Sequence, residues 1–158
     1  MILYDIMGLV DAWKGQDVTI VADGLSCPIV DAARVIAVNH AFYNCPRKPD
    51  ILVFNDAYFL NELGSKDVSD FADYVVHGSY ARPLPAPNVF PVKLRSYWSP
   101  LPNIYGSYGS GVTALSLAVI MGASVIHLYG YDYRIFTDNE AMEFFGRPAS
   151  SHRSEAAH

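Results

Sequence analysis

The sequence predicts an α/β protein built on a mostly parallel sheet, and three observations carry that prediction. Short apolar runs rich in β-branched residues recur along the chain, each closed by a small or polar residue. The runs are nearly continuous rather than alternating, the mark of strands covered on both faces. One uncharged segment, Gly111 to Tyr131, divides into a helix-favouring half, a glycine stop and a strand-favouring half. Together they describe a Rossmann-like, three-layer domain with a mostly parallel sheet. At 158 residues the chain has about the size of one domain. It reads as a single unit over 1–158, with a core at about 17–134 and a short tail or lid over 135–158.

Taken in order, Asp17–Ala22 is a strand ending at Asp23-Gly24, and Val35–Val38 one ending at Asn39-His40. Ile51–Phe54 ends at Asn55-Asp56, and Tyr74–Val76 at His77-Gly78. Val89–Leu94 is weaker, because Pro91 suits an edge strand. Val125–Tyr129 is a buried strand ending at Gly130-Tyr131-Asp132. Helices are fewer: short ones within Met1–Lys14, Ile29–Arg34 and Ala57–Leu63, and a convincing one from about Ser110 to Met121. Arg82–Asn103 holds most of the prolines and reads as an extended loop or edge region. The crossovers early in the chain are unusually short.

Composition narrows the function classes. Eleven Lys and Arg against sixteen Asp and Glu give a net charge of -5, which argues against a binder of nucleic-acid backbones. Hydrophobic residues make up 51% and charged ones 17%, enough for a sizeable core and too apolar for disorder outside the tail. Such an excess requires a membrane segment, a sheet buried on both faces or a partner-covered surface. Gly111–Tyr131 is long enough to cross a bilayer at roughly twenty residues, but its two halves read as helix and strand, so no membrane span is expected. Met1–Asp5 lacks a basic region and is no signal peptide. Cys27 and Cys45 are too isolated for a disulfide framework or zinc site and read as core thiols of a reducing, cytoplasmic compartment. No HxxxH, HExxH or GxSxG spacing occurs, so neither a dedicated metal site nor a serine nucleophile is expected.

Ligands of open parallel sheets bind beyond the carboxyl ends of the strands. That rule singles out Asp23, Asn39, Asn55, Asp56 and Asp132, although Asn and Asp also form turns for structural reasons alone. In Asp23-Gly24-Leu25-Ser26, Gly24 permits close backbone approach and Ser26 offers a hydroxyl to a phosphate or to the next helix. Gly106-Ser-Tyr-Gly-Ser110-Gly111 precedes the best helix, whose N-terminus favours an anion. A serine N-cap explains the same residues without a ligand. His127, inside a strand, reads as a hydrogen-bonded core residue, whereas His40 and His77 stand at strand ends and can face a cleft. His152 and His158 lie in the tail, where either serves as a general base only if the tail folds over the site. Arg95, Tyr97 and Trp98, with Arg82 and Lys93, form a basic-aromatic patch that reads first as an edge surface.

Several of these motifs, in this order, resemble a known family. Val18–Ser26 resembles the first strand and small-residue loop of bacterial CMP-sialic-acid-dependent sialyltransferases and of the MptE-like group. The latter includes archaeal hydroxymethylpterin pyrophosphokinases and phage proteins. Val35–Phe42 is similar to the second-strand motif of both, and Pro49–Asp56 to the third. Ser110–Asp132 matches their shared helix-turn-strand pattern most closely. The resemblance spans about Asp17 to Arg134. It implies a nucleotide- or nucleotide-sugar-dependent transferase in which Asn39 and Asn55 contact the nucleotide, Ser110 and Gly111 border its ribose or phosphate, and Asp132 closes the cleft. The pyrophosphokinase version would hold Mg²⁺ with some of Asp23, Asp56 and Asp132. The departures are a first loop without the usual Pro-Ser and a short segment after Asp132, in which Tyr133, Arg134, His152 and His158 are the available catalytic side chains. That short segment fits a non-catalytic, phage-associated binding module as the alternative. Either reading is compatible with a homo-oligomer.

Overall fold

The computed structural model describes residues 6–24, 32–55, 59, 70–78, 89–91, 94–95, 104–105 and 109–132. Six strands form one sheet: β1 (Asp17–Val21), β2 (Arg34–Val38), β3 (Ile51–Phe54), β4 (Tyr74–His77), β5 (Val89–Pro91) and β8 (Val125–Tyr129). Their order is β5-β4-β3-β2-β1-β8, and every neighbouring pair is parallel. A second, two-stranded sheet pairs β6 (Leu94–Arg95) with β7 (Ile104–Tyr105), also in parallel. Helix α1 spans Ile6–Leu9 and α2 spans Ser110–Ile120, while a 3-10 helix over Asn39–Asn44 is the regular part of the β2–β3 crossover. The crossover is short, as expected.

Both faces of the sheet are covered, which is why the strands read as continuous apolar runs. On one face Val18, Ile20, Ile36, Val38, Ile51 and Val53 pack against Ala114, Leu117 and Ala118 of α2. On the other, Ala37, Leu52, Phe54 and Val75 pack with Phe59, Phe42 and Phe71. Each fully buried Val, Leu, Ile or Phe contributes about 1.5–3 kcal/mol relative to exposure, so this sheet is the main source of stability. The alanines of α2 let the helix lie close to the strands. The turn after α1 is stitched to the far end of α2. Trp13 N–H donates to Met121 O at 2.7 Å and Asp11 N–H to Ile120 O at 3.0 Å.

At the amino edge of the sheet Asp50, just before β3, ties two strands together. Its carboxylate accepts hydrogen bonds from Val35 N–H (2.8 Å), Arg34 Nη1 (2.8 Å) and Arg47 Nη2 (3.1 Å). Arg34 also reaches Gln16 Oε1 at 2.8 Å and lies 5.4 Å from the Trp13 ring centroid.

The structure corrects several sequence expectations. Within Met1–Lys14 the described helix covers only Ile6–Leu9, followed by turns. Arg34 begins β2 instead of ending a helix, and His77 belongs to β4. The run Val89–Leu94 is divided, with Val89–Pro91 on the edge of the large sheet, as Pro91 predicts, and Leu94 in the small one. Strand β8 is not buried: among the described strands it is an edge strand, and Val125 and Leu128 are 46% and 44% exposed. His127 is accordingly half-buried on an edge strand instead of in the core. The uncharged run produced this misreading because an apolar sequence does not disclose which strand ends up last in the order. The helix expected over Ala57–Leu63 lies outside the described residues apart from Phe59, as does the first half of Ile29–Arg34. No helix among the described residues is long and apolar enough to cross a membrane.

Candidate functional site

Parallel pairing carries the carboxyl ends of all six strands to one rim. From β5 the chain returns past four strands to place β8 on the far side of β1, so successive connections diverge at the β1/β8 boundary. This is the topological switch point, the position at which open α/β sheets bind ligands. Register carries Asp23 (after β1) level with Asn39 (after β2) and Tyr131 (after β8), each two residues past the paired positions Val21, Ala37 and Tyr129.

The base of that boundary is closed by backbone alone. Ala22 N–H donates to Tyr129 O at 2.8 Å and Gly24 N–H to Gly130 O at 2.9 Å, extending the β1–β8 pairing beyond the strands. Neither glycine has room for a side chain. A Cβ on Gly24 would lie 2.7 Å from Gly130 Cα, and one on Gly130 would lie 2.6 Å from Ala22 C and 2.7 Å from Gly24 N. Gly24 therefore has a structural reason independent of any ligand.

The N-terminus of α2 stands over the same rim. Gly109 precedes the helix with φ 114 and ψ 168, a region open essentially to glycine alone. Its carbonyl accepts from Val112 N–H at 3.1 Å and Thr113 N–H at 3.3 Å. The cap is thus a glycine, and the expected serine N-cap is corrected: Ser110 is the first helical residue, and its buried hydroxyl accepts Asn55 N–H at 2.9 Å. Asn55 Nδ2 donates to Thr113 Oγ1 at 2.9 Å, and Thr113 is fully buried. On the other flank Tyr131 Oη donates to Gly111 O at 2.9 Å, and its ring occupies the space a side chain at position 111 would need, 2.9 Å from that Cβ. Helix α2 is held at its first turn by the ends of β3 and β8. Thr113→Val is expected to cost about 1–2 kcal/mol, because it removes the buried hydroxyl that pairs with the Asn55 amide; urea denaturation measures it.

Of the residues expected to hold a nucleotide, Asn55, Ser110 and Gly111 are engaged in docking α2, and Gly24 in closing β1 on β8. Asp23 is half-buried after β1, and Asp132 is exposed after β8. Asn39 differs from all of these. It adopts φ 52, a left-handed conformation that Asn tolerates better than most residues. Its Oδ1 is buried without a hydrogen-bond partner among the described residues. An orphaned buried carbonyl costs about 1–3 kcal/mol, and a ligand donor is one way to recover it. Ser26, Asp56, His152 and His158 lie outside the described residues, as do the side chains of Arg82, Lys93, Arg95, Tyr97 and Trp98.

Two histidines and a cysteine complete the description. His77 is fully buried instead of facing a cleft. His40 is half-buried, with its ring edge-on to Phe59 at 4.8 Å. Burial pushes the Cys45 thiol up to about 12, against a smaller opposing pull from Arg47, so it behaves as the core thiol the sequence predicts. Among the described residues no three His, Cys, Asp or Glu side chains come together to hold a metal ion. Of the carboxylates named for Mg²⁺ in the pyrophosphokinase version, Asp23 and Asp132 follow β1 and β8, and Asp56 lies outside the described residues. Sequence reasoning missed Tyr131 and Thr113, and took Gly109 only as part of a small-residue loop. Their signal is the Gly109-Ser-Gly-Val-Thr113 run, in which two glycines leave room for a cap and an aromatic ring.

In comparisons with protein-family models, curated proteins and solved structures, nothing matches the chain.

Proposed function

We propose that the domain is a nucleotide- or nucleotide-sugar-dependent transferase whose nucleotide lies across the carboxyl ends of β1 and β2, below the N-terminus of α2. The observation that carries this reading is the buried Asn39 Oδ1, without a partner among the described residues, beside the point where the strand order reverses. An amide carbonyl there accepts a hydroxyl or amino proton of a ribose or base. The helix N-terminus and the small residues around it suit a phosphate. Basic groups give no help among the described side chains: Lys14, Arg47 and Lys48 precede strands and Arg34 begins β2, all at the amino edge. Among the described residues, recognition would rest on N–H donors and amides. The catalytic part of the proposal assigns a base to His152 or His158 and a cleft-closing role to Asp132. It follows the sequence resemblance and is separable from binding.

Calorimetric titration and thermal shift with CMP, a CMP-sugar and ATP test both parts. A ligand at one hundred times its Kd stabilises by about 2.7 kcal/mol, a rise of roughly 5–10 °C for a domain of this size. Asn39→Ala is expected to weaken binding about tenfold, the worth of one hydrogen bond. Absence of stabilisation by every nucleotide overturns the site. Binding without turnover of any CMP-sugar or ATP, unaltered by His152→Ala or His158→Ala, leaves a binding module and overturns the transferase.

A further inference from the structure

The histidine at the end of β4 plays no part in the reading above, and its surroundings set it apart. His77 is fully buried, and neither ring nitrogen has a hydrogen-bond partner among the described residues. Its imidazole stacks on Phe54 with centroids 5.7 Å apart and planes at 11°. Phe54 packs on Phe59 at 4.8 Å, and Phe59 on His40 at 4.8 Å. Across the ladder β3 presents Phe54 and β5 presents Pro91. Among the described residues, the segments packed on this face carry His40, beyond Phe59, the exposed Tyr43 beside Phe42, Cys45, whose thiol burial keeps neutral, and the exposed Asp70 and Asp73 that flank Phe71 and Ala72. The carboxylates and guanidinium groups of Asp50, Arg34 and Arg47 sit at the opposite edge of the sheet, and Asp23 and Asp132 follow strands at least three places away.

A neutral imidazole tolerates such a site; an imidazolium there would be a desolvated charge with no partner among the described residues. The backbone ladder ends at this level: among the described residues the last bond between β3 and β4 is Gly78 N–H to Phe54 O at 3.1 Å. We propose that His77 is an acid-sensitive latch, which holds the carboxyl ends of β3 and β4 together while neutral and opens them on protonation. Burial alone holds its pKa below the ordinary 6.5. The stability it secures is complete above pH 6.5, falls as pH drops through the folded-state pKa, and levels off below it. Within that window the opening equilibrium rises up to tenfold per pH unit.

Amide hydrogen exchange of the full chain between pH 7.5 and 5, corrected for intrinsic rates, reads the latch at Gly78. Its opening is expected to rise about tenfold or more relative to Ile20 and Val21 of β1. His77→Phe, which keeps an aromatic ring on Phe54, is expected to remove the rise, and His40→Gln to retain it. A rise that survives in His77→Phe, disappears in His40→Gln, or is shared equally by β1 overturns the proposal. Should His77→Phe fail to fold, the ring-proton titration of His77 in the unaltered protein decides. A ring still mostly neutral at pH 6.5 supports the latch, and one titrating at 6.5 or above overturns it.

Discussion

Replacing Gly130 with alanine is expected to destabilise the protein by about 4 kcal/mol or more, enough to unfold a marginally stable domain. Two costs add. The first is conformational: φ at Gly130 is +74, which an L side chain enters at about 1–2 kcal/mol. The second is steric and larger. The new Cβ would meet the Ala22 carbonyl oxygen and lie within 2.7 Å of Ala22 C and Gly24 N. These are backbone atoms, so no rotamer change relieves the overlap. Strand β1 would have to part from β8, losing the bonds from Ala22 N–H to Tyr129 O and from Gly24 N–H to Gly130 O. Gly15 supplies the control. Its φ is +75, but nothing lies within 4 Å of its Cβ position, so Gly15→Ala is expected to cost only the conformational 1–2 kcal/mol. Urea denaturation of the two variants separates the costs. Equal losses in both would sink the close-approach argument.

Asp50→Ala is expected to cost about 3 kcal/mol. The two ion pairs contribute modestly, since the Arg34 and Arg47 side chains are each 37% exposed and such pairs are worth about 0–1 kcal/mol. The larger part comes from Val35, which is fully buried and whose N–H would lose its acceptor, at about 1–3 kcal/mol. Asp50→Asn keeps an oxygen for that N–H and should recover more than half the loss. Burial pushes the Asp50 carboxyl upward, but the Val35 N–H and the two arginines outweigh it and hold the pKa below its ordinary 3.8. The sign follows: this stability is complete above pH 3.8 and is lost as pH falls through the folded-state pKa. A denaturation midpoint in Asp50→Ala within 1 kcal/mol of the parent, or acid sensitivity unchanged between the two, would show that Asp50 does not join β2 to β3 in this way.

How far the fold was legible follows from these residues. Val35–Val38 and Ile51–Phe54 lie in strands because burial on both faces imposes continuous apolar runs, a signal present in the residues themselves. Val125–Tyr129 carries the same signal and is nevertheless an edge strand. Composition reports that a segment is apolar, and the order of strands reports what covers it. The candidate site divides along a similar line. Asn39, Asn55, Ser110 and Asp132 are at the carboxyl rim, as a parallel sheet requires, yet their surroundings give them unlike roles. Asn55 and Ser110 spend their polar atoms on α2, Asn39 keeps a buried carbonyl without a partner among the described residues, and Asp132 stands in the open.

By itself, then, the sequence determined the class of fold, the helix-turn-strand at Ser110–Tyr129 and the rim on which to look, because periodicity and turn chemistry are local. Only the tertiary structure decided that Gly24 and Gly130 exist for each other, that Gly111 makes room for Tyr131, and that His77 is sealed against Phe54. Those facts are contacts between residues 20 to 106 positions apart or across neighbouring strands, fixed by packing and register, which no local pattern encodes.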